Sequence, residues 1–70
     1  MSQKIIYDLI EELGGEATTK QIKELALKRY PNLTLHTYVK NRLKKLENFG
    51  YVKKTISDRV EMWKIVRKFE

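Results

Sequence analysis

The spacing of apolar residues changes at Gly50, and this change constrains the fold more than any other feature of the chain. Before Gly50, apolar residues recur every three or four positions in three separate segments, which is the period of amphipathic helices. After Gly50, the pattern becomes that of two short strands joined by a turn. The chain is therefore predicted to be mainly α with a small β-hairpin, in one domain over residues 1–70.

The first segment predicts a helix over residues 2–13. The Ser2 hydroxyl can accept a hydrogen bond from a free backbone N–H of the first turn, and Gly14 and Gly15 can end the helix in the left-handed conformation. One apolar stripe at the helical period is formed by Ile5, Ile6, Leu9, Ile10 and Leu13.

Residues 16–17 are a candidate short third strand, and a second helix follows them. Thr18 and Gln21 have the spacing of a capping box, in which each side chain binds the other residue's backbone N–H. The helix is predicted to end before Pro31, because proline disfavours helical geometry in the residue that precedes it. Its core-facing residues are predicted to be Ile22, Leu25 and Ala26.

The third helix is predicted to begin after a capping Thr34 and to end at Gly50. Its apolar face consists of Leu35, Val39, Leu43 and Leu46. The opposite face contains no acidic residue and consists of Thr34, Thr37, Asn41, Lys44 and Asn48, flanked by Tyr38, Lys40 and Lys45. A helix face exposed only to solvent usually carries charges of both signs, so this pattern favours a surface that binds an anionic partner.

The hairpin is predicted to consist of strands over residues 51–56 and 60–66, joined by a turn at 57–59. Trp63 and Ile65 share one face of the second strand, and we assign that face to the core. The complete predicted core consists of Ile5, Ile6, Leu9, Leu13, Ile22, Leu25, Val39, Leu43, Leu46, Val52, Trp63 and Ile65.

The net charge of +6 is divided unevenly along the chain. Residues 1–27 hold three basic and five acidic residues, a net charge of −2, whereas residues 28–70 hold twelve and four, a net charge of +8. A basic half beside an acidic half is typical of a protein with one side facing a polyanion. It also fits a lysine-rich surface that only aids solubility.

Composition argues against several functions. The chain has no cysteine, and its one histidine, His36, lies outside any cluster of carboxylates, so no metal site is expected. No constellation of nucleophile and base suggests an enzyme, and neither a cofactor nor a small-molecule ligand is expected. No apolar run approaches the roughly 20 residues of a membrane span, and no signal peptide is evident, so the expected location is the cytoplasm.

The segment over residues 39–52 resembles the recognition helix and the start of the wing in bacterial and archaeal winged-helix (winged helix-turn-helix) regulators. Residues 18–27 are similar to the second helix of these proteins. Within the first segment, the shared pattern consists of Val39, Leu43, Leu46, Gly50 and Val52. The resemblance implies a domain that binds double-stranded DNA, with the third helix in the major groove and the hairpin as a wing beside it.

The polar helix face and the resemblance together predict a set of DNA-binding residues. They are Thr34, His36, Thr37, Tyr38, Lys40, Asn41, Lys44, Lys45, Asn48, Lys53, Lys54 and Arg59. The amide of Asn41 can pair with adenine through two hydrogen bonds, whereas the lysines can hold phosphates as mobile charges. Arg59, at the turn, can enter a minor groove or bind a phosphate. Arg42 lies on the core-facing edge of the helix and is expected to pair with an acid such as Glu12.

Two functional hypotheses remain open from the sequence. One is a sequence-specific transcriptional regulator, and the other is an interaction module of a replication, transcription or chromatin assembly that binds protein, or binds DNA non-specifically. A homodimer is a further expectation, because such regulators place two recognition helices on adjacent half-sites. The predicted interface consists of apolar residues that are hard to bury in so small a core: Tyr7, Ile10, Val66 and Phe69.

Overall fold

A computed structural model describes residues 3–31 and 36–69 of the chain, without the side chains of His36 and Thr37. These segments form three helices and a three-stranded antiparallel sheet. In chain order the elements are α1 (Gln3–Glu12), β1 (Glu16–Thr18), α2 (Thr19–Arg29), α3 (His36–Asn48), β2 (Val52–Ser57) and β3 (Val60–Ile65). The predicted order of three helices and a hairpin is confirmed, as is the short strand before the second helix. Because that strand joins the sheet, the fold is a mixture of α and β and not mainly α as predicted.

The predicted capping box at the start of α2 is present. The Gln21 N–H donates to Thr18 Oγ1 at 3.1 Å, and the Thr18 N–H donates to Gln21 Oε1 at 2.9 Å. The last turn closes when the Tyr30 N–H donates to the Ala26 carbonyl, immediately before Pro31. Both ends of α2 are therefore set by local sequence, in agreement with the prediction.

Glycine ends α3 as predicted. Gly50 has a φ of +81°, a conformation that costs glycine little and other residues more. Its N–H donates to the Glu47 carbonyl at 3.0 Å, and the Tyr51 N–H donates to the Leu46 carbonyl at 2.9 Å. These two bonds form a Schellman motif, which satisfies carbonyls at the helix end and turns the chain into β2. The predicted capping residue Thr34 lies outside the described residues.

The three strands lie in the order β1–β3–β2, so β3 is central. Trp63 of β3 lies opposite Ala17 on one side and opposite Lys54 on the other. The two residues at the hairpin tip, Asp58 and Arg59, have φ values of +52° and +66°. Positive φ at both central residues is what a type I′ turn requires, and this turn matches the twist of the two strands that it joins.

The core lies between the helices and the inner face of the sheet. Its fully or almost fully buried residues are Ile6, Tyr7, Leu9, Ile10, Ala17, Ile22, Ala26, Val39, Leu43, Leu46, Val52 and Trp63. Most of the predicted core is confirmed. The residues predicted to be core but found only half-buried are Ile5, Leu13, Leu25 and Ile65, of which the last three pack against the core. None of the described helices is long and apolar enough to cross a bilayer.

An aromatic cluster of Tyr7, Tyr51 and Phe69 closes the core near α1. The ring centroids of Tyr51 and Phe69 are 4.7 Å apart, and those of Tyr7 and Phe69 are 5.4 Å apart. The Arg67 guanidinium lies 4.2 Å from the centroid of Tyr51 and also donates to the Phe49 carbonyl at 2.6 Å. The segment after β3 therefore folds back over the first helix.

This arrangement corrects the predicted dimer interface. Tyr7 and Ile10 were expected to be exposed, but their exposed fractions are 4% and 0%. Phe69 is half-buried against Tyr7, and only Val66 remains well exposed, at 55%. Helical spacing alone pointed Tyr7 away from the core, because it could not reveal that a distant part of the chain would cover that side of α1.

Candidate nucleic-acid interface

Helix α3 presents a polar, basic face to solvent. Leu43 and Leu46 have no exposed surface and anchor the helix to the core. The opposite side therefore points outward, and its exposed side chains include Lys40, Asn41, Lys44, Lys45 and Asn48. Glu47, the one acidic residue of α3, is half-buried and lies beyond the edge of this face. Most of the predicted basic face is thus available to a partner.

Three predicted DNA-binding residues at the start of α3 cannot be placed on this face. Thr34 lies outside the described residues, and the side chains of His36 and Thr37 are not described. Their predicted contacts with DNA remain predictions.

Tyr38 differs from its predicted role. It is half-buried, packs against the core, and its hydroxyl is buried without a hydrogen-bond partner among the described residues. The Arg42 guanidinium lies over its ring, 4.6 Å from the centroid. Because the ring is turned inward, Tyr38 does not offer its hydroxyl to an outside ligand.

The predicted ion pair of Arg42 with Glu12 is also corrected. Glu12 forms a two-pronged ion pair with Arg29 instead. Arg29 is the last residue of α2, and the pair therefore links α1 to α2. The sequence could not show which of the two arginines pairs with Glu12, because that depends on how α2 and α3 pack against α1.

Lys53 and Lys54 point to opposite faces of the sheet, because successive side chains alternate along a strand. Lys53 is exposed and lies opposite Lys64 on the outer face. Lys54 lies opposite Trp63 on the inner face, and its Nζ is 5.5 Å from the centroid of the Trp63 ring. The two lysines were predicted to act together on phosphates, but the sheet separates them. Only Lys54 lies close to α3.

A chain of polar contacts joins the core to the basic face. The indole N–H of Trp63 donates to Thr19 Oγ1 at 2.7 Å, and the Thr19 hydroxyl donates to Glu61 Oε1 at 2.9 Å. The second carboxylate oxygen, Glu61 Oε2, lies 3.8 Å from Lys40 Nζ and 4.0 Å from Lys54 Nζ. We call these five residues the Glu61 cluster. It connects α2, α3, β2 and β3.

The surroundings of Glu61 favour its charged form. The hydrogen bond from the Thr19 hydroxyl lowers the pKa of Glu61 below its ordinary value of 4.5, whereas partial burial of the carboxylate acts in the opposite direction. The positive charges of Lys40, Lys54 and Lys23 lower the pKa further. Glu61 is therefore an anion at neutral pH, beside two lysines of the candidate interface.

An open groove of about 740 Å³ lies between α2, α3 and the hairpin tip. Its walls carry four basic side chains, which are Lys20, Lys23, Lys40 and Arg59. Two carboxylates, Glu24 and Glu61, and two aliphatic residues, Leu27 and Val60, also line it. The predicted residues Lys40 and Arg59 are thus brought together from distant parts of the sequence.

The sequence interpretation missed four residues of this region: Thr19, Lys20, Lys23 and Glu61. Glu61 did give a signal, because it lies two positions before Trp63 and therefore on the same, inward-facing side of β3. A charged residue on the inner face of a strand requires a partner, and that partner is supplied by α2 and α3. Lys20 and Lys23 gave no such signal, because their position beside the hairpin depends on how α2 packs.

The described residues contain no group of three or more histidine and carboxylate side chains that could hold a metal ion. A comparison of the chain with models of protein families, with curated proteins and with solved structures found no match in any of the three.

Proposed function

We propose that this chain is a winged-helix domain that binds double-stranded DNA, with α3 in the major groove and the β2–β3 hairpin as the wing. The observation that carries the proposal is the exposed face of α3, which has lysine and asparagine side chains and no carboxylate. A helix fits the major groove of B-DNA, and basic side chains on its exposed face are attracted to the phosphates on both sides of the groove.

Base and phosphate contacts are assigned by side-chain chemistry. Asn41 lies in the middle of the exposed face, and its amide can both donate to and accept from adenine. Lys44 and Lys45 are exposed, and neither forms an ion pair with any described residue. We therefore expect these two lysines to bind phosphates. Arg59 at the hairpin tip would bind the backbone or the minor groove beside the helix.

Duplex binding is tested by fluorescence anisotropy with a short random-sequence duplex and with a duplex selected by the protein from a random library. If about four to six phosphates are neutralised per protomer, log K falls against log salt with a slope of about −4 to −5. An absence of binding to both duplexes at about 50 mM salt, where the electrostatic attraction is strong, would contradict the proposal.

Two substitutions on the same face separate base contacts from phosphate contacts. Asn41→Ala is expected to cost about 1–3 kcal/mol on the selected duplex alone and to leave the salt slope unchanged, since no charge is lost. Lys44→Gln is its matched control. It should weaken binding to both duplexes similarly and reduce the slope by about one. Equal losses on both duplexes for Asn41→Ala would show that Asn41 does not recognise a base.

Lys53 provides a further check, because it lies on the outer face of the sheet. The sequence alone predicted that Lys53→Ala weakens binding to all duplexes and reduces the slope by about one. If the wing presents only its inner face and tip to DNA, this variant will bind as the unaltered protein does. The comparison with Lys44→Gln therefore reports which face of the wing contacts the backbone.

An interaction module that binds protein is the second candidate, and one observation favours it. Leu27 and Val60 line the groove and are exposed, as is Ile56 near the hairpin tip. Exposed aliphatic side chains around a concave surface are typical of a protein-binding site. This function would replace the first if the chain fails to bind duplex DNA at low salt.

A role as a transcriptional regulator of bacterial or archaeal type, and dimerisation on adjacent half-sites, belong to the same proposal. Since Tyr7 and Ile10 are buried, a dimer interface would have to use other residues, such as the exposed Val66. Sedimentation at micromolar concentration, with and without DNA, tests for the dimer. A single species of 8.4 kDa without DNA would exclude a stable free dimer and leave assembly on DNA to the second measurement.

A further inference from the structure

We propose that Glu61 is an internal counterion that withholds Lys40 and Lys54 from the phosphates of DNA and so limits non-specific binding. This inference rests on the proposed function and concerns the same surface. It assigns Glu61 as a positioning residue, because it would act on DNA through the two lysines.

The two carboxylate oxygens of Glu61 have different partners. Oε1 accepts the hydrogen bond from Thr19, which in turn accepts from the buried Trp63 indole, so this oxygen is tied to the core. Oε2 faces both Lys40 and Lys54. The Glu61 side chain is only 23% exposed, and its hydrogen bond from Thr19 fixes the direction in which the carboxylate points.

Lys54 and Lys40 are set apart from Lys44 and Lys45 in different ways. The Lys54 side chain is only 29% exposed and lies over the Trp63 ring. The Lys40 side chain is 49% exposed and differs from the exposed Lys44 and Lys45 by its ion pair with Glu61. A phosphate that bound Lys40 or Lys54 would have to approach the Glu61 carboxylate as well. Repulsion between these two anions would offset the attraction to the lysine.

Lysines held by Glu61 should release fewer counterions from DNA than lysines that are free to bind phosphates. Each lysine that neutralises a phosphate steepens the slope of log K against log salt by about 0.9. Lys40 and Lys54 should therefore contribute little to this slope in the unaltered protein. Removal of the Glu61 charge should release them to bind phosphates anywhere along a duplex.

The test compares Glu61→Gln with Glu24→Gln on a random-sequence duplex between about 50 and 200 mM salt. Glutamine keeps an oxygen that can accept from Thr19, so the connection to Trp63 is retained. Glu24 is the matched control, because it lines the same groove and pairs with no described lysine. It reports the effect of removing one negative charge from the groove without freeing a held lysine.

Glu61→Gln is expected to steepen the slope by about one to two. Its gain in affinity over the unaltered protein should therefore grow about four- to sixteenfold as salt falls across this range. Glu24→Gln should tighten binding without changing the slope. In the unaltered background, Lys40→Gln and Lys54→Gln should each reduce the slope by less than Lys44→Gln does. This last comparison stands even if Glu61→Gln does not fold.

Each outcome separates this inference from the proposed function. If the unaltered protein and Glu61→Gln both bind with the same slope, the inference is wrong and DNA binding stands. If neither binds at about 50 mM salt, both proposals are wrong. If only Glu61→Gln binds, the counterion role is supported and DNA binding by the natural sequence is contradicted.

Discussion

The aromatic cluster and the Glu61 cluster lie in different parts of the molecule and are held together by different forces. In the aromatic cluster, Tyr7 is only 4% exposed and contacts the ring of Tyr51, just before β2, and the ring of Phe69, after β3. In the Glu61 cluster, one buried indole is satisfied by a hydroxyl, and the remaining groups are charged and partly open to solvent. Apolar contact dominates the first region and polar geometry the second.

The two regions contribute differently to stability and to binding. The aromatic cluster removes apolar surface from water, which is the main source of stability in so short a chain. Exposed or half-exposed ion pairs contribute little to stability, so the charged residues of the Glu61 cluster can be altered with small effects on folding. We therefore expect substitutions in the aromatic cluster to change stability and substitutions of Lys40, Lys54 or Glu61 to change binding. Thr19 is different, because its hydroxyl is the acceptor for the buried Trp63 indole.

The largest effect is expected from Leu43→Ala, in the core that both regions share. Leu43 has no exposed surface, and its truncation should cost about 2–5 kcal/mol through lost burial and the cavity left behind. Urea unfolding should be followed by Trp63 fluorescence and by tyrosine near-ultraviolet circular dichroism. Coincident transitions would indicate one cooperative core. A cost below about 1 kcal/mol would contradict the burial of Leu43.

The next largest effect is expected from Phe69→Ala in the aromatic cluster. Phe69 is half-buried and contacts two rings, so the loss should be about 2–3 kcal/mol, below that of a fully buried phenylalanine. Thermal or urea unfolding measures it. Val66→Ala, at an exposed position in the same segment, is the control and should change stability by less than about 0.5 kcal/mol. Equal effects of the two variants would show that the aromatic cluster does not stabilise the fold.

Thr19→Val is expected to have a smaller effect on stability, about 1–2 kcal/mol. The substitution keeps the shape of the side chain but leaves the Trp63 indole N–H without its acceptor, which carries a desolvation penalty. Urea unfolding gives the cost, and Thr55→Val on the exposed outer face of the sheet is the control. If both variants unfold at the same urea concentration, the indole does not depend on Thr19.

The smallest effect is expected from Glu61→Gln, and it concerns how the free energy of unfolding depends on pH. The pKa of Glu61 is lowered in the folded state, so its charge stabilises the fold above the unfolded-state pKa, near 4.5, and this contribution is lost as pH falls through the lowered value. The stability difference between the two proteins should be at most about 1 kcal/mol at neutral pH and should vanish in acid. A difference that persists unchanged at low pH would mean that the carboxylate charge is not its cause.

The sequence alone predicted the helices, their caps and the hairpin, because these depend on residues close together in the chain. The capping box at Thr18 and Gln21 and the helix end at Gly50 are local features, and both agree with the prediction. The exposed face of α3 followed from helical period, since burial of Leu43 and Leu46 forces Asn41 outward. These parts of the candidate site needed no tertiary information.

The tertiary structure decided which side chains meet across the chain. Tyr7 became core because Phe69, sixty-two residues later in the printed sequence, covers it, and no local period contains that information. Lys53 and Lys54 were separated by strand alternation, whose direction depends on which face of the sheet packs on the helices. Glu61 lies near Lys40 because α3 packs against β2, the strand beside β3 in the sheet. Spacing along a chain determines local conformation, whereas contacts between distant side chains depend on the packing of whole elements against one core.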